Sequence, residues 1–211
     1  MTTQAIMKAR IADEISRSDL TSQIAYAISD AIALYQPKRF YFNEYGQPGH
    51  TFSTVADQET YTSADDSALP WWYDIDDVFV VVGVNNYRVK RIDPTNYTIN
   101  QMPYFKGQPY NYMWVKQTLS LYPIPSTVYT IIVRGHYRVD APASDAEANN
   151  PWMVDAERLI RSAAKRILYQ DIILDSDAAA ACMGAEEEAY ERLKSTSNKM
   201  SANGFVMPMD F

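Results

Sequence analysis

Of 211 residues, 47% are hydrophobic, enough to bury one large core or a core with a sizeable insertion, so a folded globular protein is expected. The 19 Lys and Arg against 26 Asp and Glu leave a formal charge of −7, the wrong sign for a protein that holds DNA by neutralising its phosphates. A single cysteine, Cys182, excludes an internal disulfide framework and a Cys-rich zinc site and agrees with a reducing cytoplasm.

Residues 1–10 are amphipathic, without the apolar stretch of a signal peptide. Residues 1–35 read as two helices. Ile11 and Ile15 lie one turn apart in the first; Ile24, Ile28, Ile32 and Tyr35 form a stripe in the second, with Thr21 expected to cap it. Ser18 and Asp19 mark the break between them, and Pro37 ends the second helix.

From Arg39 to about Asp140 the apolar period changes to two. Residues 39–45 and 51–55 read as short strands, and residues 77–84 and 87–92 as a hairpin turning at Asn85 and Asn86, a pair that tolerates positive φ. Residues 78–84 are also the longest apolar run, far below the roughly 20 that span a bilayer, so a soluble, unexported chain with no membrane partner is expected. Residues 114–116, 118–122 and 128–139 continue the strand pattern. Prolines from Pro70 to Pro142 keep these strands short or at sheet edges. Most of the 16 tyrosines fall in this middle region, where large side chains of low entropy suit interfaces and sugar-binding faces.

After an alanine- and acid-rich linker, Asn150, Pro151 and Trp152 make a helix start, cap followed by proline at the first turn, and one long helix is expected from there. Trp152, Leu159, Ile160, Ala163, Ala164, Ile167 and Leu168 are its apolar stripe. Asp175 to Asp177 cap a fourth helix running to about Leu193. Beyond a polar hinge from Ser195, residues 204–211 are apolar without a period. The expected fold is α+β: a four-helix portion from both chain ends (residues 1–37 and 149–195), an inserted antiparallel β-rich, sandwich-like middle (residues 38–148) and an extended C-terminal tail (residues 196–211).

Catalytic and metal-binding patterns are not found. His50 and His136 have no second ligand at metal spacing, and Asp74, Asp76 and Asp77 start like a calcium loop that lacks the turn glycine and the closing acid. Phosphate loops, nucleophile elbows and paired Ser–His arrangements are absent, and the Asn96–Thr98 sequon carries no weight without a secretory signal. The expectation is a protein that is not an enzyme and takes no cofactor. Glu186, Glu187, Glu188 and Glu191 read as a solvated helix face or, functionally, as acids lining a channel. Trp71, Trp72 and Tyr73, flanked by acids, read as packing under a loop, as an outward protein contact or as a sugar platform.

Four stretches together carry a resemblance. They are Ile24, Ile28, Ile32 and Tyr35 running into Arg39, Phe40, Tyr41, Phe42, Asn43 and Glu44; the strand residues 119–125; the helix start Asn150, Pro151, Trp152; and residues 156–161. In that order they resemble the head-to-tail adaptor, or connector, proteins of short-tailed bacteriophages. The resemblance implies a structural protein at the head–tail interface of the virion, present in the host cytoplasm during assembly. Twelve copies would form a ring between the portal protein and a tail nozzle or fibre protein, with DNA passing through its centre without specific binding. It further implies that the helical portion packs side by side in the ring and that Phe205, Val206, Met207, Pro208, Met209 and Phe211 dock on the portal or a neighbouring copy. The strand-rich middle is large compared with almost wholly helical relatives, which leaves a rival reading: an aromatic-rich carbohydrate-binding or tail-fibre attachment module.

Overall fold

The computed structural model describes residues 2–95 and 105–201. The chain divides into two compact units, one made of Met1–Phe42 with the chain from Val139 onward and the other of Asn43–Arg138.

The first unit is helical. Helix α1 (Gln4–Glu14) starts where Thr3 Oγ1 accepts the Ile6 N–H, and it buries Met7 and Ile11, with Ile15 just beyond. Helix α2 (Thr21–Tyr35) buries Ile24, Ala27, Ile28, Ala31 and Ile32, the three-and-four spacing of one helical face. Its cap position is Leu20 rather than Thr21, and no side chain closes it. After α2, the Gln36 amide clasps Val139: Nε2 donates to its carbonyl at 2.5 Å and Oε1 accepts its N–H at 3.3 Å.

Asn150 caps α3 (Pro151–Val154), its Oδ1 accepting the Trp152 N–H at 3.1 Å. Trp152 is fully buried, donates its indole N–H to the Val139 carbonyl at 2.9 Å, and meets Phe40 and Phe42 edge to face. The single long helix expected here is broken. Ala156 N–H reaches back to the Pro151 carbonyl, widening the turn, and α4 (Glu157–Leu168) starts afresh. The described residues therefore hold five helices instead of four.

A π-turn at Tyr169–Ile173 and a left-handed Leu174 lead to Asp175, whose carboxylate caps α5 (Ser176–Ser201). Helix α5 runs past Leu193, so residues 196–201 are helical and not part of an extended tail. The cause is a stripe that local composition hides: Ala179, Cys182, Glu186, Ala189, Leu193 and Ser197 are all buried, and Ser197 Oγ also accepts the Tyr41 N–H at 3.1 Å. Helix α1 is tied to α4 by ion pairs from Arg161 and Lys165 to Glu14 and from Arg10 to Glu157.

The second unit is a seven-stranded sheet ordered β1-β9-β3-β4-β6-β7-β2 with a separate two-stranded ribbon, β5-β8. The large sheet comprises β1 (Glu44–Ser53), β2 (Thr60–Tyr61), β3 (Trp72–Val82), β4 (Asn85–Arg91), β6 (Asn111–Val115), β7 (Thr118–Tyr122) and β9 (Thr130–Tyr137); the ribbon comprises β5 (Lys106–Gly107) and β8 (Ile124–Pro125). The pairing is antiparallel except for β4 with β6 and β5 with β8, so the expected antiparallel sandwich is instead one mixed sheet and a ribbon. The β3–β4 hairpin turns at Gly83 and Val84, while Asn85 and Asn86 pair with Val82 and Val81 inside the ladder. Gly83, at φ +61°, adopts left-handed backbone at lower cost than asparagine, which moves the turn two residues. Of the strand expected over residues 39–45, Tyr41–Asn43 is a 3₁₀ turn.

One face of β3 and β9 makes the core of this unit: Val78, Val80, Ile131 and Val133 are wholly buried with Leu69, Leu119 and Leu121. Two glycines let the strands close up. A Cβ on Gly135 would overlap the Asp74 carbonyl oxygen, and one on Gly49 would lie 2.5 Å from Ile132 Cγ2.

Candidate functional site

The acids read as one helical face are split by their positions on α5. Glu186 points inward and is 7% exposed. Arg166 holds it in a fork, Nε to Oε2 at 2.5 Å and Nη2 to Oε1 at 3.2 Å, and the Tyr35 hydroxyl donates to Oε1 at 2.7 Å. Burial, then the bond to Glu186, pushes the Tyr35 phenol well above its ordinary value, and the same carboxylate raises Arg166. Glu186 is thus an internal tie and not a channel-facing acid. Glu187, Glu188 and Glu191 are exposed; Glu188 pairs with Arg158 at 3.0 Å and Glu191 with Lys194 at 3.1 Å. Their surface is less negative than four consecutive-turn glutamates suggest.

A cleft of about 350 Å³ lies in the same unit, lined by Tyr41, Asp155, Arg158 and Arg192 together with Val154, Leu159 and Leu193 among others. The Tyr41 phenol is pushed up to about 12, first by burial and then by a bond to the Asp155 carboxylate.

The three aromatics read as one contact are also divided, because successive strand residues face opposite sides of a sheet. Trp72 is 5% exposed and joins the core. Tyr73 stacks on His136, ring centroids 5.1 Å apart at 23°. Trp71, just before β3, is 40% exposed.

Trp71 and Trp72 instead line a pocket of about 260 Å³ with Tyr45, His50, Ala68 and Tyr137. Strand register builds it: Tyr45 lies opposite Gly135, His50 opposite Val133 and Trp72 opposite Tyr137, so these rings share the core-facing side at one end of the sheet. They pack obliquely, Tyr45 to Trp72 at 5.9 Å and 66°, Tyr45 to Tyr137 at 5.4 Å and 73°, Trp72 to Tyr137 at 6.3 Å and 61°. Asp66 stands against two lining residues, its Oδ2 2.6 Å from His50 Nε2 and its Oδ1 accepting the Ala68 N–H at 2.9 Å. Tyr45, His50, Asp66 and Tyr137 had no signal in the sequence, being brought to the tryptophans only by the pairing of β1, β9 and β3.

Among the described residues no group of three or more His, Cys, Asp or Glu is placed to hold a metal, and no helix is long and apolar enough to cross a membrane. Cys182 is buried, and burial pushes its thiol up. The candidate docking residues Phe205, Val206, Met207, Pro208, Met209 and Phe211, and the Asn96–Thr98 sequon, lie outside the described residues.

The helical unit presents charged helix faces, and the β unit an aromatic pocket. A family model described as SU10 adaptor protein matches residues 1–206. The chain belongs to the SU10 adaptor protein family. It is a structural head-to-tail adaptor of a bacteriophage virion, and its family is not an enzyme class. No curated protein matches the chain.

Proposed function

We propose that copies of this adaptor close a ring, twelve in number, that joins the portal to the tail and lines the path of the ejected DNA. The family match over nearly the whole chain carries this reading. Two surface features support it. At the α4–α5 corner Leu174 and Met183, 78% and 54% exposed, line a shallow cleft with Ala179 and Ala180, an apolar surface of the kind that neighbouring copies cover. Further along α5, Glu187, Glu188 and Glu191 offer a face from which DNA slides without sticking. The C-terminal residues 205–211 reach the portal or a neighbouring copy, and the aromatic pocket of the β unit meets a tail nozzle or fibre protein.

Native mass measurement of the chain alone and mixed with portal tests this. A ring or a portal-bound assembly is expected; a strict monomer in both samples defeats the reading. Charge reversal of Glu187, Glu188 and Glu191 to Lys is expected to slow DNA ejection from particles, while Glu186 stays out of that set because it is internal.

A further inference from the structure

The aromatic pocket combines three properties. It is walled by rings and chiefly apolar, it is open, and a carboxylate stands beside it. Trp71 is a lining ring without a ring partner among the described residues and is 40% exposed, so part of its surface is open to a guest, while Tyr45, Trp72, Tyr137 and His50 lock one another in place. Asp66 has a side chain only 13% exposed. The segment from Asp57 to Asp77 carries seven acids and no Lys or Arg. Asp57, Asp74 and Asp77 are paired with Lys106, Arg91 and Arg88.

These properties choose among guests. An apolar side chain would fill the rings but strip water from Asp66 without supplying a cation, which is costly. A sugar needs several polar partners, and this lining offers few. A lysine ammonium is a strongly hydrated point charge; a guanidinium is planar, more weakly hydrated, stacks on Trp and Tyr faces and matches a carboxylate with its fork. On the opposite face of the same sheet Arg134 already sits over the Phe79 ring at 4.9 Å.

We propose that this pocket receives an arginine side chain from a partner protein, its guanidinium stacked on Trp71 and paired with Asp66. The partner rests on the reading of the β unit as the part that meets the tail; the pocket chemistry does not.

The test is a titration of the full chain with N-acetyl-argininamide, followed by tryptophan emission. N-acetyl-citrullinamide, a neutral isostere, and a methyl glycoside are run beside it. Saturable binding of the arginine probe is expected, about tenfold weaker for citrulline, with none for the glycoside. Trp71→Ala should weaken binding about tenfold while Trp71→Phe restores most of it, and Asp66→Asn should lower it several-fold. Equal binding of citrulline, binding of the glycoside in place of the arginine probe, or full affinity in Trp71→Ala each overturns the proposal. A chain that binds the arginine probe but assembles with no portal keeps the pocket and loses the ring and portal reading, and the converse result does the reverse.

Discussion

Glu186 in the helical unit and Asp66 in the β unit are both shielded carboxylates, with side chains 9% and 13% exposed, and both face a basic group across about one hydrogen bond. They differ in what lies next to them. Arg166 and Tyr35 close around Glu186 and use its lone pairs, so the arrangement holds helices together. Asp66 bonds to His50 and to the Ala68 N–H, two residues that line an open aromatic pocket, so its charge stands just behind that pocket's wall. The chemistry of the two acids is alike, and adjacent empty volume separates a structural tie from a site.

The largest break in this comparison comes from Glu186→Ala, which leaves the half-buried Arg166 guanidinium with only Gln170 in place of its carboxylate partner. A loss of about 3 kcal/mol of stability is expected in urea unfolding, while Glu187→Ala on the next residue changes it by less than about 0.5 kcal/mol. Similar values for the two would remove the distinction between inner and outer acids. Gly135→Ala acts on the β unit alone, since its Cβ would overlap the Asp74 carbonyl. It should cost about 2 kcal/mol and disturb the pocket by moving Trp72 away from Tyr137, read as a changed near-ultraviolet dichroism.

Alkaline pH sharpens the helical side. An unfolded tyrosine loses its proton near its ordinary value, about 10, whereas folded Tyr41 keeps it to about 12. The folded chain therefore binds more protons in that window, and the stability Tyr41 contributes is complete below about pH 10 and lost as pH rises toward about 12. Tyr41→Phe should flatten the decline in thermal midpoint over that range. The smallest effect is expected from Trp71→Ala, within about 0.5 kcal/mol of the parent, because the ring is half-exposed and outside the core. A large loss there would make Trp71 a packing residue and the pocket an accident of the fold.

Much of the helical unit was legible in its periodicity. Ile24, Ile28 and Ile32 repeat at helical spacing, and Asn150 with Pro151 is a start signal that needs no partner to act. The run of α5 to Ser201 was not, because Ser197 is buried through its bond to Tyr41, 156 residues away in the chain. The hairpin was legible as two apolar runs, though its turn follows Gly83, which is cheaper in left-handed backbone than the asparagines after it. Trp71, Trp72 and Tyr73 stood out as a cluster in the sequence, yet only Trp71 and Trp72 line one pocket, while strand alternation sends Tyr73 to stack on His136.

By itself the sequence determined the class of each segment, the absence of known catalytic patterns, the acidic balance and the family, since composition, period and local caps act over a few residues. Tertiary structure decided which glutamate is buried, which tryptophan is free and which distant rings join it. Those outcomes depend on strand register and helix facing, which arise from contacts between residues far apart in the chain. The carboxylate beside an open aromatic pocket in this adaptor's β unit exists only because β1, β9 and β3 pair as they do.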